Sequence, residues 1–270
     1  MRKRLDELWS KSIFPTVERI KQAIESGQSP EQLADLLERE LRIAEATYGH
    51  LGMDIVDMWR QMMEVETRTS MHKALAKSLG IDITAVLDTP QVSEALSIGG
   101  WEAADLIKTI PGELLNDVAK AVADNFRGIP QPEGRSLMQQ IQHIGDVSKK
   151  RAKLIARDQT SKMTGLLNQT RQQMLGVEMY IWRTAKDSRV VGNPSGRFPK
   201  TSRAHGNHYK MEGKYCKWEN PMLYSNDKGQ TWVQRASDMP KNHPGQDIAC
   251  RCFASAVIDL DKILENSQVA

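Results

Sequence analysis

Residues 175–189 read Leu175-Gly176-Val177-Glu178-Met179-Tyr180-Ile181-Trp182-Arg183-Thr184-Ala185-Lys186-Asp187-Ser188-Arg189, and the chain changes character inside that stretch. Before it, apolar residues recur at steps of three and four, the spacing of one buried helix face. Gly176 stands where a helix can end in the left-handed conformation. Residues 178–184 are β-branched and aromatic, a strand pattern. Beyond, residues 192–230 are rich in Gly, Pro, Asn and Ser. The fold class read from this switch is α+β. A mainly α-helical N-terminal region and a long central helix precede a small α+β C-terminal domain with short antiparallel strands.

Working back from Gly176, Ala152, Ile155, Ala156, Met163, Leu166, Leu167 and Met174 line one face of a helix from about 147 to 175. A shorter helix is expected over 135–145, behind the stiff linker Ile129-Pro130-Gln131-Pro132-Glu133-Gly134. Further helices are expected near 91–108 and 112–126, and from Gly52 to about Lys77. Leu5, Leu8, Trp9, Ile13, Val17, Ile20 and Ile24 mark the first helix. Ser29, Pro30 and Gln32 then form an N-terminal capping signature for the second, which carries Leu33, Leu36, Leu37 and Leu41 on one side. Working forward, short strands are expected near 214–218, 230–234 and 252–258, with a short helix from Asp259 to Ser267. Trp182, Trp218 and Trp232 are the expected core of the C-terminal domain, because so small a domain needs bulky aromatics. The linear division is 1–134, an acidic helical region; 135–176, a basic helical segment; and 177–270, the strand-containing domain.

Charge supports this division. The formal net charge is only +3. Residues 1–134 hold 15 Lys and Arg against 22 Asp and Glu, whereas 135–214 hold 16 against 5. An acidic front and a basic middle imply two surfaces with different partners. Lys149, Lys150, Lys153 and Arg157, with Arg151 beside them, are the candidate nucleic-acid contacts, since phosphate neutralisation needs only a stripe of cations. The same charges suit an acidic protein surface or a solvated helix face. No recognition helix or aromatic stacking series accompanies them, so base-specific readout is not expected. No apolar run approaches the roughly 20 residues of a membrane helix, and no signal peptide is read at the N-terminus.

The three cysteines, Cys216, Cys250 and Cys252, fall in the last quarter. An odd count without an export signal argues for a reducing compartment rather than a disulfide framework. Cys250-Arg251-Cys252 with His208 is a candidate zinc site, because thiolate and imidazole are good zinc ligands and structural sites want four. His205, Cys216 and His243 are candidates for the fourth position. The alternative is that both cysteines pack as small apolar residues and His208 caps a turn. Asp187 and Arg189 flank a turn after the strand. Asp187 is read as a salt bridge or Asx-turn acceptor, with a couple to His208 as the other reading. A nuclease would need paired carboxylates or a metal-nucleophile set, and none is legible. Gly-rich phosphate loops, nucleophile elbows and H-E-x-x-H helices are likewise missing from the sequence.

Four blocks carry a family resemblance. They are Lys150-Arg151-Ala152-Lys153-Leu154-Ile155-Ala156-Arg157-Asp158-Gln159-Thr160; Leu175-Gly176-Val177 leading into Tyr180–Arg189; His208-Tyr209-Lys210-Met211-Glu212-Gly213-Lys214; and His243-Pro244-Gly245-Gln246-Asp247-Ile248-Ala249-Cys250-Arg251-Cys252. In this order the chain resembles the phage head morphogenesis family, the phage Mu protein F-like minor head proteins, over about residues 148–256. Asp187, Arg189, Gly213, Pro244 and Arg251 belong to the shared pattern. The resemblance implies a minor head protein of a tailed bacteriophage, present in few copies near the portal vertex or capsid interior and in the host cytoplasm during assembly. It implies the portal protein, other head proteins and double-stranded phage DNA as partners, and no enzymatic activity. The alternative function is a metal-dependent hydrolase or nuclease centred on His208, Cys250 and Cys252. Val191 to Asn207 departs from the pattern as an insertion, read as a loop of its own.

Overall fold

The hydroxyl of Ser29 accepts from the Gln32 backbone N–H at 3.3 Å, while the Gln32 side chain accepts from the Ser29 N–H at 2.9 Å. Ser136 and Gln139 repeat the same reciprocal cap at 3.3 and 2.9 Å. Each pair satisfies two orphan donors and starts a long helix. In this computed structural model, which describes residues 1–79, 89–200 and 206–259, the helices are α1 (Arg2–Leu8), α2 (Phe14–Glu25), α3 (Pro30–Leu79), α4 (Pro90–Phe126) and α5 (Leu137–Met174). A π turn, Trp9–Ile13, joins α1 to α2.

Three of the expected breaks do not occur. Gly52 lies inside α3, Pro111 inside α4, and Gly145 inside α5. An interior Gly costs about 1 kcal/mol and an interior Pro about 3. Burial outweighs that around Pro111, where Ile107, Ile110, Leu114 and Leu115 are all at most 2% exposed. The expected helix at the C-terminal end lies almost wholly outside the described residues.

The chain divides into two compact units, one of residues 1–61 and 100–159, the other of 62–99 and 160–270. The division expected from sequence, at 134/135 and 176/177, does not coincide with these units. The unit boundaries fall within α3, α4 and α5, because each long helix contributes one stretch to each unit. The first unit is all helical. Its buried Glu40 accepts from Thr16 Oγ1 at 3.0 Å and from Arg19 at 2.6 and 3.0 Å, so its charge is buried fully partnered.

The second unit holds the sheet. After α5, Gly176 adopts φ 73° and Val177 N–H donates to Gln172 O at 2.9 Å, closing the helix. Five strands follow: β1 (Met179–Arg183), β2 (Tyr215–Lys217), β3 (Leu223–Ser225), β4 (Val233–Gln234) and β5 (Phe253–Ala256). Their order is β4-β3-β2-β1-β5, all pairs antiparallel. The strand β3 is not foreseen by the sequence reading. Alternate residues of β1 point inward, and Tyr180 and Trp182 join Met211, Cys216, Trp218, Met239 and Ala254 in a buried core. Trp182 and Trp218 thus fill the role expected of them. Trp232 does not: it is half-buried, with Lys217 Nζ 4.8 Å above its ring.

The part of α5 within this unit seats the sheet. Gln172 accepts from Trp218 Nε1 at 3.1 Å, and Asn168 and Gln172 both donate to Ala254 O. Backbone meets backbone where Gly165 faces Pro244 and Gly245. A β-carbon on Gly165 would lie 3.1 Å from Pro244 O, and one on Gly245 would lie 3.3 Å from the Gly165 Cα. Gly165→Val is therefore expected to lower the denaturation midpoint of the chain by the equivalent of about 1–3 kcal/mol. Gly49→Val, at an open helical position, serves as the comparison. Equal effects in the two variants would mean that the close approach is not what matters.

Candidate metal centre

Two loops deliver the ligands. His208 precedes the 3-10 turn Tyr209–Met211. Cys250 and Cys252 lie in the turn before β5, which begins at Phe253. The side chains therefore meet through a turn rather than through strand alternation, with Ala249 at φ 56° and Cys250 N–H donating to Asp247 O at 3.0 Å.

His208 Nδ1 lies 3.5 Å from Cys250 Sγ and 3.4 Å from Cys252 Sγ. All three donor atoms fall within 4.8 Å of one another, so the cluster can hold a metal ion. The geometry fits a tetrahedral ion: Zn–S of about 2.3 Å and Zn–N of about 2.0–2.1 Å place sulfur and nitrogen roughly 3.6 Å apart. Two backbone N–H groups, of Gly245 and Cys252, point at Cys250 Sγ, each at 3.4 Å. Donors aimed at a sulfur favour its thiolate form.

Behind the ring, His208 Nε2 lies 3.0 Å from Asp247 Oδ2, and the other Asp247 oxygen accepts from Asn242 Nδ2 at 2.7 Å. A carboxylate on the far nitrogen fixes the ring and leaves Nδ1 for a metal. Burial works against charge on His208, yet the Asp247 carboxylate and Cys250 push it up to about 9. The hydrogen bond between the two sulfurs, followed by the charge of His208, brings the Cys250 thiol down against its burial. The same sulfur–sulfur bond, with burial, pushes Cys252 up.

Arg251, between the two cysteines, points away and forks onto Asp187, at 2.5 and 2.6 Å. Asp187 also accepts from the Arg189 N–H at 2.9 Å, an Asx turn. The Arg251 fork, then that N–H, hold the Asp187 carboxyl far below the usual range. Asp187 is thus the turn-fixing ion pair of the first reading, and Asp247, which the sequence reading missed, is the partner of His208. Gly213, at φ 79°, donates to Trp182 O at 2.9 Å, and Pro244 packs its carbonyl on Gly165.

The remaining candidates are elsewhere. Cys216 accepts from Arg235 Nη2 at 3.5 Å, with the guanidinium 5.2 Å over the Trp182 ring. His243 Nδ1 bonds the Tyr180 hydroxyl at 2.9 Å and its ring lies 5.0 Å from Trp218. Neither joins the cluster, and His205 lies outside the described residues. In the first unit, Lys149 and Lys153 reach Asp6 at 4.0 and 3.6 Å, and Arg151 pairs with Glu113. Only Lys150 and Arg157 of the five cations are exposed and make no ion pair among the described residues. The expected five-cation stripe therefore shrinks to two, because acids distant in sequence take the others.

No protein-family model and no solved structure matches the chain. One relative does match. It is an uncharacterized protein of Haemophilus influenzae, strain Rd, 26% identical over 208 residues, which cover 76% of this chain and 39% of the relative. The chain thus spans about two fifths of the length of the curated relative it matches.

Burial, and then the charge of Arg235, hold His243 down at about 4. A buried histidine kept neutral contributes stability that is full above its unfolded value near 6.5 and is lost as pH falls toward its folded value. Thermal melts of the wild type are expected to lose more between pH 6.5 and pH 4 than those of His243→Gln. Parallel pH profiles of the two proteins would contradict this.

Proposed function

We propose that this chain is a minor head protein of a tailed bacteriophage, acting in head morphogenesis near the portal, with a zinc-stapled C-terminal unit. The observation that supports it is convergence. The second, third and fourth blocks of the family resemblance are scattered over residues 175–252. They meet around a single centre, where β1 leads into Asp187, Asp187 grips Arg251, and His208 faces Cys250 and Cys252. A shared sequence pattern whose residues touch is a pattern with a structural reason.

The metal is proposed to be zinc, which suits two thiolates and an imidazole at these separations. His208, Cys250 and Cys252 hold it, and Asp247 orients the imidazole. The site is read as structural, not enzymatic. The carboxylates around it are engaged, Asp187 with Arg251, Asp247 with His208 and Glu212 with Thr184 and Arg183, and no free base stands beside the metal among the described residues. The portal protein and other head proteins are the proposed partners, in the capsid interior or at the portal vertex, with the host cytoplasm as the place of assembly. Contact with packaged double-stranded DNA is proposed to be non-specific and slight, through Lys150 and Arg157.

Purified full-length protein is expected to carry one zinc per chain by elemental analysis. A chelator should lower its melting temperature, and His208→Ala should abolish the metal. A metal-free chain whose melt ignores the chelator would reduce the Cys-Arg-Cys turn to packing. An antibody against the chain should detect it at low copy number in purified heads of the phage that encodes it, and heads lacking it would overturn the assignment. Binding to duplex DNA should show a slope of log K against log salt of about −2, where five phosphate contacts would give roughly −4.5.

A further inference from the structure

A small pocket opens directly onto the metal ligands. It encloses about 120 Å³, and His208, Cys250 and Cys252 form part of its wall. Val190, Val191 and Phe198 contribute apolar surface, and Arg189 and Arg251 also line it. That volume is several times the roughly 15 Å³ that admits one water. A closed structural zinc site has four protein ligands around the ion, whereas a site with three keeps a position for an outside ligand. Here the described cluster supplies three, and the other two cysteine and histidine candidates among the described residues, Cys216 and His243, are engaged with Arg235 and Tyr180.

We infer that the fourth coordination position of the metal faces this pocket and takes a small thiol from solution. The inference rests on the zinc reading above. Thiolate is the ligand class that a zinc centre already bearing two sulfurs accepts readily, and the pocket has room for a few heavy atoms against its apolar wall. On binding, the thiol proton leaves to solvent and the sulfur takes the fourth position. Nothing is oxidised or reduced.

The test uses the full chain with cobalt(II) in place of zinc, because the visible spectrum of cobalt reports its ligands. One cobalt per chain and a tetrahedral spectrum are expected. Adding 2-mercaptoethanol should shift the bands saturably while the cobalt stays with the protein on gel filtration. Ala185→Leu, which fills the pocket from a wall residue that is not a ligand, should weaken that response about tenfold or more without changing the metal content. If cobalt binds but the bands ignore the thiol, the fourth position is closed and the inference is overturned while the zinc reading stands. A resting spectrum that changes in His205→Ala would identify the residue that closes it. If no cobalt binds, the zinc reading itself falls, and this inference falls with it.

Discussion

His208 is the residue on which the C-terminal unit turns. Its ring is buried and makes polar contacts on both edges, with two sulfurs on one side and a carboxylate on the other. Burying so many ionisable groups is costly unless each finds a partner. Here the partners of the ring, Asp247, Cys250 and Cys252, all come from one short turn about 40 residues further along the chain. Meeting those requirements fixes the 3-10 turn at Tyr209, the turn before β5 and, through Arg251, the turn after β1. The strands themselves run to only two to five residues, lengths that give little independent stability. The polar knot substitutes for the long strands that the unit lacks.

Trp182 shows how apolar and polar parts interlock. Its indole is fully buried at the centre of the sheet, with the His208 ring 5.7 Å away in an edge arrangement and the Arg235 guanidinium 5.2 Å over it. Arg235 in turn donates to the carbonyls of Pro240 and Asn242 at 2.8 and 2.9 Å. One aromatic residue therefore sits against two groups that organise separate loops, and the core and the loops cannot be repacked independently.

Much of this architecture is legible in the sequence, and the parts that are not have identifiable causes. The capping pair of Ser29 and Gln32 is local, and so is the stop at Gly176; both are read correctly from residue types alone. The continuity of α3 through Gly52 and of α4 through Pro111 is not legible, because local propensity argues for a break and only burial in the folded unit decides otherwise. Strand β3 is three residues long in a turn-rich stretch and has no periodicity to detect. His208, Cys250 and Cys252 are found by chemistry, yet Asp247 is missed although it stands three residues before Cys250. A carboxylate acquires its role from what approaches it, and here that is a ring 39 residues earlier in the chain. The cations of α5 fail for the same reason: helical spacing groups them, but nothing local reveals that Asp6 and Glu113 will claim three of them.

The pairing of β1 with β5 has a mechanical meaning. The chain enters the sheet at Met179 and leaves it after Ala256, and these two points are adjacent, since Val257 N–H donates to Met179 O at 3.0 Å. Tension applied across the sheet from its entry to its exit would load this ladder from one end, one rung at a time, as a zipper rather than in shear. The Arg251–Asp187 fork and the His208 cluster sit beyond the opposite end, past the Arg183–Phe253 pair. An opening that starts at the exit would travel the length of β5 before it met the strongest contacts of the unit. Everything from Ser188 to Cys250 would remain a slack, closed loop until that clasp gave way.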